Sequence, residues 1–274
     1  MQKVIPQAQP VRAARPAPPS LASRIRFRWL IPLLALGLLL AIWQLVTLLE
    51  IYPPFIIPSP QAVAQKFYEV LVDGRLWLHT QATLTAVLAG LVLGIVGGLL
   101  LGYCIAKSSL LEASLAPVIV GLQSTPIVAY APLLVIWFGS GPTSKIVTSA
   151  LIVFFPMLMN VVVGLRNVPL PLRDLMRVQR ATRWQTFIKL EVPAAMPVFL
   201  GGLKISATLA VIGAVVGEFV GAKAGLGFLI NLARSQYDTA LVIVAVVTLA
   251  VIARTLYGLV ALLEKRLLAW QSRN

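Results

Sequence analysis

Long apolar runs alternate with short polar segments along this chain. An apolar run of about 20 residues is long enough to cross a hydrocarbon core of about 30 Å. Such runs predict about six spans, near Trp29–Leu49, Thr80–Ala106, Ala113–Phe138, Lys145–Leu165, Phe199–Val220 and Thr239–Leu263. Pro117, Pro126 and Pro132 interrupt the third span, and Pro156 lies inside the fourth. Between the first two spans, Ser59–Leu78 reads as a short amphipathic helix on the outer face, with Ser59 as its cap and Pro60 in its first turn. The second span carries Gly90, Gly94, Gly97, Gly98 and Gly102. Glycines at i and i+4 let helix backbones approach closely, which predicts tight packing inside a bundle and also fits a dimer of bundles. The fold class is an all-α integral membrane protein.

Composition supports that class. Hydrophobic residues make up 59% of the chain and charged residues 12%, against about 45–50% and about 25% in soluble domains. The net charge of +14 would suggest nucleic acid in a soluble protein. Here the cations flank apolar spans, so the bilayer is the partner and nucleic acid is not. Seventeen lysines and arginines fall on the side of the termini and of a long loop after the fourth span, five fall on the other side, and Arg254 lies inside the sixth span. This bias puts both termini and the long loop in the cytoplasm. Residues 1–28 are rich in Pro, Ala and Arg and are expected to be a disordered basic cytoplasmic segment, with the membrane domain over 29–274. No apolar core precedes Trp29, so this segment is not a signal peptide by itself. Trp29, Trp77, Trp137 and Trp270 fall near span ends, as interfacial anchors do.

Little in the chain suggests bond-making chemistry. Cys104 is the only cysteine and reads as inert packing. His79, the only histidine, begins a span and reads as an interfacial polar group; a histidine-based metal cluster is excluded. No lysine follows a glycine, so the GxxxxGK[ST] phosphate loop is absent. Glu218 and Arg254 are the clearest ionisable residues in or near spans, with Lys204 near a cytoplasmic end. An ion-coupled carrier would place a relay there, so energy is expected to enter from outside the chain.

The long loop, Arg166–Pro197, is the natural entry point. Arg173–Leu190 holds neither Pro nor Gly and predicts a continuous helix, bounded by Pro169 and Pro171 before it and by Pro193 and Pro197 after it. A rigid lever for a soluble partner and an amphipathic helix resting on anionic lipid both fit this pattern.

RATRWQTFIKLEVPAAMP, followed by GGLKISATLAVIGAVVGEFVGAKAGLGFLI, resembles the loop and fifth span of binding-protein-dependent ABC importer permeases. LQSTPIVAYAPLLVIWFGSGPTSKI, FFPMLMNVVVGLRNVP and the outer segment PSPQAV extend the resemblance over nearly everything after about residue 30. It is nearest to the nitrate, sulfonate and taurine branch, which includes permeases for thiamine precursors and riboflavin. The resemblance implies a type I ABC importer permease fold, a multi-pass bacterial inner-membrane location and no enzymatic activity. The implied partners are cytoplasmic ABC ATPase subunits, which use ATP and Mg, an external solute-binding protein, and a second copy of this chain. The family's loop signature places its glutamate on Asp174 and its alanines on Leu175 and Met176. The signature's glycine falls on Arg180 and its closing segment on Leu190, Glu191, Val192 and Pro193. Arginine in place of glycine favours continuous helix at that point. By the same resemblance, residues around Arg180–Phe187 dock in the ATPase. Trp184 is the expected apolar anchor, Arg180 and Arg183 supply charge, and Ala181, Gln185 and Phe187 complete the contact.

The path is expected between two copies near mid-membrane. Gln123, Ser124, Thr125, Pro126 and Tyr130 of the third span, Asn160 of the fourth and Glu218 of the fifth are candidate lining; interhelical hydrogen bonding is the competing role for each. Few cations in the spans and the resemblance of LQSTPIVAYAPLLVIWFG to vitamin-precursor permeases lean toward a flat heterocycle, riboflavin or a thiamine pyrimidine. Sulfonate, taurine or nitrate is the alternative. A stand-alone carrier and a scaffold that only anchors a soluble partner are the competing classes.

Overall fold

The computed structural model describes residues 21–269, and side chains from Ile31 onward. No strand forms among these residues. The chain divides into two compact units, one up to Tyr52 and one from Pro53 onward. The first holds α1 (Leu21–Leu48), whose 18-residue stretch Ile31–Leu48 is apolar enough to cross a membrane. This helix starts eight residues before Trp29. Of the segment expected to be disordered, residues 1–20 lie outside the described residues.

The second unit begins with α2 (Pro60–Val72), capped by Ser59, whose hydroxyl accepts from the Ala62 N–H. It continues through α3 (Arg75–Lys107), α4 (Ser109–Ser124), α5 (Ala131–Phe138), α6 (Pro142–Arg166), α7 (Leu170–Val178) and α8 (Arg183–Thr186). A π-helical turn, Phe187–Glu191, leads into α9 (Val192–Gly221), followed by α10 (Leu226–Ser235) and α11 (Thr239–Leu267). Among the described residues of both units, five helical stretches are long and apolar enough to span, and α4 with α5 makes a sixth if that pair, bent by 80°, is one span. The bend falls at Thr125–Pro126, where proline removes a backbone donor.

Helix α6 is the hub, with α3 and α9 packed along it. The glycine stripe of α3 makes this possible. A Cβ built at Gly94 would lie 2.7 Å from the Ala150 carbonyl oxygen, and one at Gly98 would lie 2.8 Å from Met157 Cβ. A Cβ at Gly102 would lie 2.9 Å from Val161 Cβ. From the other side, Gly213 and Gly217 of α9 admit the backbone at Ser149 and Lys145. The spacing therefore serves packing within one bundle. Ala86, Val87, Val153, Met157, Ala207, Ala210, Val211 and Ala214 form the core between the three helices, closed by Leu256 and Val260 of α11.

Pro193 and Pro197 do not stop a helix, contrary to the sequence expectation: Pro193 falls where the π-helical turn passes into α9, and Pro197 lies inside α9. Cys104 is not packed in the core but exposed.

Candidate functional site

The long loop folds as two short helices joined by a tight reversal, not as one helix. Helix α7 ends at Val178, and Arg180 takes a left-handed conformation with φ of 52°. The Ala181 N–H donates to the Met176 carbonyl at 3.0 Å and the Arg180 N–H to the Arg177 carbonyl at 2.9 Å. This is a Schellman cap, whose left-handed position usually holds glycine. The expectation that Arg180 continues the helix is thus overturned: the cap forms although an L-residue there costs about 1–2 kcal/mol. One feature downstream favours the reversal. Thr182 caps α8, accepting from the Gln185 N–H at 3.2 Å while its own N–H donates to Gln185 Oε1 at 2.9 Å. This capping box satisfies two otherwise orphan donors.

The element is anchored on three sides. Arg173 donates to the Leu165 carbonyl at 2.6 Å, tying α7 to the end of α6. Arg166 at that end makes a two-pronged pair with Glu112 of α4, at 2.5 and 2.6 Å. At the π-helical turn, the buried Glu191 pairs with Lys107 at the end of α3. Leu190 is buried beside it, and Pro193 is half-buried.

Between these anchors lies an exposed surface. Asp174 is exposed and bridged by Arg177 at 3.1 Å. Arg180, Arg183 and Gln185 are exposed, and Ala181 is half-buried. Trp184 is 68% exposed, and its ring stacks on Phe187 at 5.7 Å between centroids. Phe187 in turn meets Tyr103 of α3 edge-to-face at 5.3 Å. An apolar cavity of about 420 Å³ opens beneath Phe187, lined among others by Tyr103, Cys104, Val161 and Phe199. A large exposed ring on a rigidly held element can bury much area against a partner at little entropic cost.

The candidate lining residues fall in separate places. Gln123, Ser124 and Pro126 are exposed, and Thr125 and Tyr130 half-buried, at the bend between α4 and α5. Ser124 and Thr125 return their hydroxyls to the Val120 and Gly121 carbonyls at 2.8 and 3.3 Å. Asn160 donates to the Pro156 carbonyl at 2.8 Å and packs on Gly202 of α9.

Glu218 is 1% exposed and belongs to a clamp at the opposite end of the bundle. Its carboxylate accepts from Thr83 Oγ1 at 2.7 Å and from the Gly227 N–H at 2.6 Å. Thr83 Oγ1 accepts from the Leu226 N–H at 2.7 Å, and His79 Nδ1 accepts from the Gly225 N–H at 3.1 Å. Lys145 donates to the Ala224 carbonyl at 3.2 Å. Side chains of α3, α6 and α9 thus hold the turn before α10 and satisfy that helix's first donors. Gly225, with φ of 127°, leaves the room that the Glu218 carboxylate occupies.

His79, Thr83 and Lys145 of the clamp, and Tyr103, Lys107 and Glu191 at the loop, escaped the sequence reading as functional groups. One signal was available. The chain has nine acidic residues against 23 lysines and arginines, and an acid beside a span is costly unless paired. Seven of the nine form ion pairs, so Glu191 next to an apolar run already called for a cation.

Comparison with known proteins agrees with this architecture. Residues 94–269 match the family model described as "Binding-protein-dependent transport system inner membrane component". The chain is 46% identical over 258 residues to the riboflavin transport system permease protein RibX of Chloroflexus aurantiacus, covering 93% of this chain and 96% of that protein. It is 33% identical over 243 residues to the formylaminopyrimidine transport permease protein ThiX of Halalkalibacterium halodurans, covering 89% and 96%. Among solved structures, the fold resembles the inward-facing MetNI methionine ABC transporter with a TM-score of 0.62 at 20% identity, over 72% of this chain and 96% of that one. Taken with the spans, the anchored loop and the absence of a phosphate-binding loop, the matches place this chain in the binding-protein-dependent ABC transporter permease family, as a non-catalytic, multi-pass inner-membrane subunit of an importer.

Proposed function

We propose that this permease carries a flat heterocycle of the riboflavin class across the membrane, driven by a cytoplasmic ATPase that docks on the Trp184 surface. The substrate reading rests on one observation, the extent of the match to the riboflavin permease along almost the whole of both chains. The lysines within the spans fit it as well. Lys145 is committed to the α9–α10 turn and Lys204 to Glu264 at 2.8 Å, so neither is poised for a small anion. One group favours the alternative, a sulfonate, taurine or nitrate: Arg254 is exposed along α11.

The chain makes and breaks no covalent bonds, and it binds no ATP or Mg itself. An ATPase dimer closing on ATP would move the loop, and the loop would carry α6 and α9 with it, because Arg173 and the unbroken run from Arg183 to Gly221 join them. Two copies of the chain would enclose the path, with solute delivered outside by a binding protein. The residues at the bend between α4 and α5, and Asn160, remain the proposed lining, whereas the partners of Glu218 favour a structural role for that carboxylate.

Rescue of a riboflavin auxotroph tests this reading. Cells expressing the chain with its cognate ATPase and binding protein should grow on low riboflavin. Trp184→Ala should abolish both growth and copurification of the ATPase while the permease still inserts. Growth on taurine as sulfur source, with no riboflavin rescue, would contradict the substrate reading. Normal copurification by the Trp184 variant would contradict the docking role.

A further inference from the structure

Resting on the reading that an ATPase docks at Trp184, we infer that Lys107 and Tyr103 make the cytoplasmic end of α3 a second arm of the lever, so that ATPase movement reaches α3 directly. In sequence the loop connects only α6 and α9. In space it also grips α3, through two contacts of different kinds. The first is the pair between Lys107 and Glu191, a carboxylate only 4% exposed whose second oxygen, Oε2, has no partner. A buried carboxylate that loses its one cation is left uncompensated, so Lys107 and Glu191 must move together or the pair must break at high cost. The second contact is aromatic: Trp184 stacks on Phe187, Phe187 meets the Tyr103 ring, and Lys107 Nζ lies 5.6 Å from the centre of that ring. The exposed docking residue is therefore joined to α3 by an unbroken series of packed groups.

Phe187 and Glu191 open and close the π-helical turn, four residues apart and so on one face of the helical run. Both face α3, one at Tyr103 and one at Lys107. Because α3 is seamed to α6 by its glycine stripe, a push on its end moves the two helices as a unit. Lys107 is a positioning residue in this account: it touches neither solute nor nucleotide.

Cys104 supplies a reporter already in the chain. It is the only cysteine, it is exposed, and it lines the cavity under Phe187. The experiment measures alkylation of Cys104 by a maleimide in the assembled permease–ATPase complex, nucleotide-free and trapped with ATP and vanadate. The expected result is a rate change of at least about fivefold between the two states. Lys107→Ala should remove that difference while the ATPase still copurifies, and Lys107→Arg or the exchanged pair Lys107→Glu with Glu191→Lys should restore it. Equal rates in both states of the wild type, or a difference that survives in Lys107→Ala, would overturn the inference. Failure of the wild-type ATPase to copurify would instead overturn the docking reading beneath it.

Discussion

The Thr83 hydroxyl of α3 donates to the Glu218 carboxylate of α9 across 2.7 Å, and the same oxygen accepts the Leu226 N–H. One small side chain thereby joins two spans and the start of a third helix. Leaving a buried donor without an acceptor costs about 1–3 kcal/mol. Thr83→Val is expected to lower stability by about that amount, and Glu218→Leu by at least as much. Thermal unfolding in detergent, with Thr83→Ser as the conservative control, checks this. Unchanged melting in both variants would remove the clamp as a structural element.

Arg180 pays for a left-handed backbone at the Schellman cap. Arg180→Gly is expected to stabilise the loop by about 1 kcal/mol, and Arg180→Pro to destabilise it, because proline cannot take positive φ. Hydrogen exchange over residues 176–186 measures both. If Arg180 also pairs with acidic groups of the ATPase, Arg180→Gly separates the effects: slower loop exchange together with weaker copurification.

The glycines are not equivalent. A Cβ at Gly94 meets the Ala150 carbonyl oxygen at 2.7 Å, whereas at Gly121 nothing lies within 4 Å. Gly94→Ala is expected to cost about 1–3 kcal/mol by overpacking. Gly121→Ala, inside α4, should be neutral to stabilising by up to about 1 kcal/mol. Equal melting temperatures for the two variants would contradict the described α3–α6 seam.

Outside the membrane, Lys66 of α2 pairs with Glu69 at 3.2 Å and with Asp238, the cap of α11, at 3.3 Å. The Glu69 hydrogen bond, then Asp238, holds the Lys66 ammonium above its usual pKa against the opposing effect of burial. A raised lysine pKa means stabilisation that is complete below the unfolded-state value and lost as pH rises through the folded-state value. Lys66→Met should therefore be mildly destabilising, by under about 1 kcal/mol, near neutral pH and indistinguishable from wild type well above pH 10.5. Melting curves across that range check the sign.

The parts legible in the sequence were those set by composition over about 20 residues. Hydropathy located the spans, Pro126 marked the bend, and Ser59 with Pro60 marked the start of α2. Local rules failed where tertiary contacts decide. At Arg180 the competing signal was itself local: the cap of α7 and the Thr182–Gln185 capping box of α8 outweighed helix propensity. Pro197 was absorbed inside α9, whose packing against α6 outweighs one lost hydrogen bond. Thr83, which donates to Glu218 from α3, lies more than a hundred residues away, and no local pattern announces that partner. The contacts of Phe187 with Tyr103 and of Glu191 with Lys107 are likewise invisible in FIKLE alone, since their partners lie on α3.

The most direct test of ATP-driven riboflavin import is uptake of radiolabelled riboflavin into proteoliposomes holding this chain and its ATPase, with the matching binding protein supplied outside. Accumulation is expected to require ATP and all three components and to be lost in Trp184→Ala. Uptake by this chain alone without ATP would contradict it, and so would ATP-driven uptake of taurine or nitrate with none of riboflavin.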